Sequence, residues 1–106
     1  DTGEVPPRCP SCGGLLRPDV VWFGEMLPEA EVAAAVEAAE RCEVFLCVGT
    51  SAVVEPAASL PFTALRAGAV VVEVNPTETP LPPRASFSLR GAAGEVLPAL
   101  VAAAWP

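Results

Sequence analysis

The sequence contains no histidine, and it also lacks lysine, tyrosine, isoleucine and glutamine. Without histidine, the side chain most often used as a general base is unavailable. Arginine therefore carries all the positive side-chain charge. Six arginines face 13 carboxylate residues, for a formal net charge of -7. That balance argues against non-specific binding to nucleic acid or to an anionic membrane. No apolar stretch reaches the length of a membrane span. No signal peptide opens the chain, so the expected setting is cytoplasmic. The first residue is not methionine, and the Pro-rich start DTGEVPPRCP reads as a cut inside a longer protein. What is abundant is apolar: 52% of the 106 residues are hydrophobic. This suits one globular domain with a modest core.

Four cysteines without a secretion signal do not suggest a disulfide framework. Cys9 and Cys12 form a C-x-x-C in the segment Cys9-Pro10-Ser11-Cys12-Gly13-Gly14. Two thiolates at that spacing, on a turn relaxed by glycines, can grip one side of a tetrahedral metal. A structural zinc needs four ligands, so this is half a site. A redox dithiol and a pair of inert thiols are the other readings. Cys42 and Cys47 are poor candidates for the missing half, because Cys47 falls in an apolar run expected to be a buried strand.

The run Val44 to Val54 organises the rest. It reads VFLCVGTSAVV, an apolar β-rich stretch broken at Gly49-Thr50-Ser51. Such a run suits a buried strand of a parallel sheet. Upstream, DVVWFGE (Asp19 to Glu25) is apolar and too short for a helix. It reads either as a buried edge strand or as an apolar lip that pairs with an extended peptide. Pro28 to Arg41 reads as a helix, with Glu29 and Glu31 at the start and Arg41 at the end. Val32, Ala35, Val36 and Ala39 supply its apolar face. A second helix is expected from Ala57 to Ala67, closed by Gly68, and a second strand from Ala69 to Val74. This is a strand–helix–strand unit with parallel strands. Its two strands end in Gly49-Thr50-Ser51 and in Asn75, so both polar ends fall on one sheet edge, where ligands of open α/β sheets bind. Ser86 to Arg90 reads as a third short strand. Glu95 to Ala104 reads as a last helix, with Pro98 in its first turn.

The stretches CPSCGGLLRPDVVWFGE, VFLCVGTSAVVEPAASLP, VEVNPTETP and RGAAGEVLP, in this order, resemble the C-terminal part of a sirtuin, the NAD-dependent protein deacylase family. The likeness is to small prokaryotic members and runs through nearly the whole chain. It implies an α/β fold: the C-terminal half of a Rossmann-like parallel sheet with helices on both faces, plus part of a small zinc-binding module. Residues 1–18 would be the partial zinc module and 19–106 the NAD-binding part. By this resemblance Cys9 and Cys12 are the second cysteine pair of a structural zinc site. Gly49, Thr50 and Ser51 form an NAD-binding turn. Asn75, Pro76 and Thr77 lie at the adenosine ribose, and the backbone of Ala93 meets the adenine. Val21, Phe23, Gly24 and Glu25 form one lip of an acyl-lysine peptide cleft, and Val54, Glu55 and Pro56 form the other. The family's glycine-rich NAD loop, its catalytic histidine and its first cysteine pair have no counterpart here. The resemblance thus implies a deacylase as the intact parent, with the upstream half of the domain required and this segment inactive alone. The alternative is a sirtuin-like module that binds nucleotide or peptide without turnover.

Overall fold

The computed structural model describes residues 5–81 and 83–105. Helix α1 spans Glu29–Arg41 and leads into strand β1, Val44–Val48. A single 3-10 turn, Ala57–Ser59, runs into helix α2, Leu60–Ala67. Strands β2, Val70–Asn75, and β3, Phe87–Arg90, follow, and helix α3, Ala93–Ala104, closes the chain. The three strands form one sheet in the order β1-β2-β3. Both pairings are parallel, running from Val44 opposite Val70 to Val48 opposite Val74, and from Val72 opposite Phe87 to Asn75 opposite Arg90. The expected strand–helix–strand unit is therefore present.

Local chemistry explains the boundaries. Pro28 precedes the first turn of α1, where a missing N–H costs nothing. Pro61 sits at the start of α2 for the same reason. Gly68 ends α2 in the left-handed conformation, φ 95°, and donates its N–H to the last carbonyls.

The core lies between α2 and one sheet face. Ala64 of α2, Ala39 of α1, Cys47 of β1 and Val71 of β2 pack there with Leu81 from the loop before β3. Side chains alternate along a strand, so Val71 and Glu73 share this face, while Val74 points to the other. Val74 is fully buried, and α3 contacts β2. The second face is covered only in part: Val44, Leu46, Val48, Val70 and Phe87 are exposed on it. The outer edge of β1 has no strand partner among the described residues.

Two expectations are corrected, and a third is met only in part. Val20 to Phe23 is not a strand; it lies in an exposed loop that turns at Phe23 and Gly24. Helix α3 begins at Ala93 and not at Glu95, so Pro98 lies beyond its first turn. The missing Pro98 N–H leaves the Gly94 carbonyl without its helical donor. The segment around Cys9 contains an antiparallel bridge between Arg8 and Leu15, but no group of three or more His, Cys, Asp or Glu able to hold a metal occurs among the described residues. The zinc-module part of the expected fold is thus not seen as a complete site.

Leu81 and Leu46 make opposite predictions. Leu81 is fully buried and Leu46 is 48% exposed. Leu81→Ala should lower the unfolding free energy by about 2–5 kcal/mol. Leu46→Ala should cost less than about 1 kcal/mol. The shift of the urea midpoint at constant slope measures both.

Candidate functional site

Parallel pairing brings the carboxyl ends of all three strands to one edge. After β1, Gly49 takes φ 64°, a left-handed conformation natural only to glycine, and its N–H bonds to the Val74 carbonyl at 2.9 Å. The chain then turns through Thr50 and Ser51, both exposed. Ala52 also has positive φ, 55°, a strained state for a residue with a Cβ. Its N–H bonds to the Thr50 hydroxyl at 3.2 Å. Strain of this kind clusters at ligand-binding turns.

Asn75 joins this turn to the next one. Its side-chain N–H₂ donates to the Thr50 carbonyl at 2.8 Å. Its side-chain oxygen accepts from the Thr77 N–H at 3.2 Å and from the Thr77 hydroxyl at 3.1 Å. Asn75 is 6% exposed, so its side chain acts as a strut between two turns, while Thr50, Ser51, Pro76 and Thr77 face outward. The third strand end closes in beside them: the Gly91 N–H meets the Asn75 carbonyl at 3.4 Å, and α3 starts at Ala93. Ala92 offers no side-chain cap, which leaves the first amides of α3 open. The residues named from sequence for the nucleotide, Gly49 to Ser51, Asn75 to Thr77 and Ala93, thus lie along one edge.

The second group of named residues also comes together. Val21, Phe23, Gly24 and Glu25 face Val54, Glu55 and Pro56 across one cleft of about 480 Å³. The Val54 lip continues directly from the Gly49 to Ala52 turn, so cleft and edge are neighbours. The exposed apolar lip Val20 to Phe23 keeps its shape through charge. Arg17 grips the Glu25 carboxylate with two N–H groups, at 2.7 and 3.0 Å, and also donates to the Val20 carbonyl at 2.8 Å. Its guanidinium lies 5.6 Å from the centre of the Trp22 ring, within cation–π range. Glu25 in turn accepts the Trp22 N–H at 3.1 Å. The Arg17 guanidinium first, and the Trp22 amide second, hold the Glu25 carboxyl below the ordinary carboxylate range. On the opposite lip, the Ser59 hydroxyl donates to the Glu55 carboxylate at 2.7 Å.

Cys9 and Cys12 flank a tight turn in which the Gly13 N–H bonds to the Cys9 carbonyl and the Cys9 N–H to the Gly14 carbonyl. The Cys9 thiol is pulled down mainly by the backbone N–H of Cys12, then by that of Ser11. Cys47 is the reverse case: burial first, and the neighbouring Glu73 carboxylate second, push its thiol up. Cys42 sits at the end of α1 with its Sγ on the Ala39 carbonyl. Neither Cys42 nor Cys47 joins Cys9 and Cys12 in a metal-holding group.

Sequence reasoning passed over Arg17, Ala52, Glu73 and Arg90. Only Glu73 left a plain signal, as the one charge inside the run VVVEVN.

Comparison with known proteins agrees with the fold. A profile of the Sir2 family matches residues 2–56, more than half of the chain, and the chain belongs to that family. Among curated relatives it is 56% identical over 95 residues to NAD-dependent protein deacylase 1 of Archaeoglobus fulgidus, covering 90% of this chain and 39% of that protein. It is 57% identical over 95 residues to the NAD-dependent protein deacylase of Pyrococcus furiosus, covering 90% of this chain and 38% of that protein. Among solved structures, a Sir2 homologue in complex with NAD superposes with a TM-score of 0.83 at 55% identity, over 92% of this chain and 38% of that one. A Sir2 protein bound to a propionylated peptide gives 0.83 at 32% identity, over 96% and 43%. The chain spans about two-fifths of the length of these relatives. No helix among the described residues is long and apolar enough to cross a membrane.

The lip carries a pH prediction. The folded-state carboxyl of Glu25 titrates below the ordinary value of 4.5. Its ion pair therefore contributes fully above that value and is lost as pH falls through the lowered one. In a Trp105→Phe background, Trp22 fluorescence should stay constant from neutral pH down to about 4.5 and change below it. Glu25→Gln should show the altered emission already at neutral pH.

Proposed function

We propose that this chain is the nucleotide-binding and acyl-peptide-binding part of an NAD-dependent protein lysine deacylase. The observation that carries the reading is the adjacency of two built surfaces. One is the edge where three strand ends meet, and the other is the cleft between the Val21 to Glu25 and Val54 to Pro56 lips. Gly49, Thr50 and Ser51 would hold the adenosine half of NAD with Asn75, Pro76 and Thr77, and the Ala93 backbone would meet the adenine. An acyl-lysine peptide would lie in the cleft as an extended strand paired on both sides. There the Val21 carbonyl would accept the substrate amide, and Phe23, 93% exposed in the chain by itself, would wall the acyl-lysine channel.

When bound, NAD supplies the ribose carbon that takes up the acyl oxygen as nicotinamide leaves. Activation of a ribose hydroxyl, which follows, needs a general base, and no histidine exists in these residues to serve as one; a glycine-rich NAD loop is missing from them as well. The chain alone would therefore bind without turnover, and the acid–base machinery would belong to the rest of the parent. The open apolar face of Val44, Leu46, Val48 and Val70 supports a further layer of the same domain lying against the sheet. We read residues 19–106 as the C-terminal part of that NAD-binding domain and 1–18 as part of a zinc module. Cys9 and Cys12 would give two thiolates to a structural zinc. The lowered Cys9 thiol suits metal ligation, and two further ligands would come from elsewhere in the parent. A cytoplasmic setting would keep these thiols reduced.

Nicotinamide release from NAD tests the reading. The 106-residue chain should release none, with or without an acetyl-lysine peptide, while the intact parent should release it in a peptide-dependent way. Peptide-dependent release by the chain alone would move the chemistry into these residues and overturn the assignment.

A further inference from the structure

Glu73 is fully buried, on the sheet face that packs against the core. Burying a carboxylate is costly unless it is paired and hydrogen-bonded, and a well-packed apolar residue often serves stability as well or better. Here every donor around it comes from outside its own strand. The Thr79 hydroxyl donates to one carboxylate oxygen. The Ser88 hydroxyl and an Arg90 guanidinium nitrogen, each at 3.0 Å, donate to the other. The same Arg90 nitrogen reaches past the carboxylate to the Thr77 carbonyl at 2.7 Å. Thr79 in turn accepts the Leu81 N–H at 3.2 Å.

The network therefore does more than fill a core position. It fastens the loop after β2 at two points, Thr77 through Arg90 and Thr79 directly, and it spans from β2 to β3. Thr77 is also the residue whose N–H and hydroxyl hold the Asn75 side chain, and Asn75 holds Thr50. A continuous line of hydrogen bonds runs from Glu73 through Arg90, Thr77 and Asn75 to the turn after β1. Arg90 is partly exposed and Glu73 is not, with side-chain exposures of 37% and 1%. The pair has one end anchored in the core and the other at the sheet edge.

We propose that Glu73 and Arg90 are positioning residues for the nucleotide edge. Glu73 fixes the guanidinium, the guanidinium fixes the Thr77 carbonyl, and the turn Asn75-Pro76-Thr77 is held in its binding shape before a nucleotide arrives. Preorganisation of this kind appears in ligand affinity, because a turn already in place loses less freedom on binding. The proposal rests on the nucleotide reading of that edge and adds the device that sets its shape. Neither residue lines the peptide cleft, so the two ligands separate a positioning role from a merely structural one.

The experiment titrates the 106-residue chain separately with ADP-ribose and with an acetyl-lysine peptide, following backbone amide shifts. It compares wild type, Arg90→Met and Arg90→Lys below the melting temperature of each. Arg90→Met should weaken ADP-ribose binding about tenfold or more and leave peptide binding within about twofold. Arg90→Lys, which keeps a cation able to serve both acceptors, should restore most of the nucleotide affinity. Should Arg90→Met fail to fold, Glu73→Gln carries the same comparison, because it keeps one oxygen for Ser88 and Arg90, turns an N–H₂ to the Thr79 hydroxyl, which can accept, and removes the charge. Equal ADP-ribose affinity in wild type and Arg90→Met would overturn the positioning role and leave the nucleotide reading standing. Parallel loss of both ligands would mark a scaffold role and also overturn it. A wild-type chain that binds peptide but no ADP-ribose would overturn the nucleotide reading itself, and the positioning role with it.

Discussion

The structure depends on one side-chain amide. Parallel pairing of β1 and β2 places the ends of two strands side by side, but backbone pairing stops where the strands stop. Beyond that point each turn could take many shapes. Asn75 bridges the gap, donating to one turn and accepting from the other. An amide can do both at once, with a donor group at one corner and an acceptor at the other. A carboxylate offers only acceptors, and a hydroxyl is too short to span two turns. Asn75 is the only asparagine in the sequence.

The two candidate surfaces are stabilised by different physics. The nucleotide edge grows out of the sheet and inherits its rigidity from buried bonds. The apolar lip has little core beneath it: Val20, Val21, Trp22 and Phe23 are all exposed, and its shape comes from the Arg17–Glu25 fork and the ring of Trp22. Exposed ion pairs contribute little to global stability and weaken with salt. A lip built this way can adjust locally while the sheet behind it stays fixed.

Much of the fold was legible because the elements are punctuated. Proline before α1, proline at the start of α2 and glycine after it mark three boundaries, with short apolar runs between the helices. The shared edge followed from topology alone, since parallel neighbours must end together. The failures had physical reasons as well. Val20 to Phe23 matched a strand in composition, and nothing local shows that Arg17 and Glu25, eight positions apart, pull the segment into a loop. The last helix was expected from Glu95, yet Ala93 and Gly94 already belong to α3; the helix accepts Gly94 at a small propensity cost. Glu73 was visible as an interruption of an apolar run, but its partners lie 6 to 17 residues away, beyond the reach of periodicity. Local chemistry was readable, and side chains that tie distant segments together were not.

The residue after Asn75 has a chemical consequence of its own. Asparagine ages mainly when the backbone nitrogen of the following residue attacks the side-chain amide and expels ammonia, ending as aspartate or isoaspartate. Here the following residue is Pro76, whose nitrogen carries no hydrogen and cannot make that attack in the usual way. Were the conversion to occur, the donor facing the Thr50 carbonyl would become a second oxygen, and the two turns would repel where they now join. Proline next to the strut thus protects the molecule against slow spontaneous damage at the one side chain whose chemistry holds its edge together.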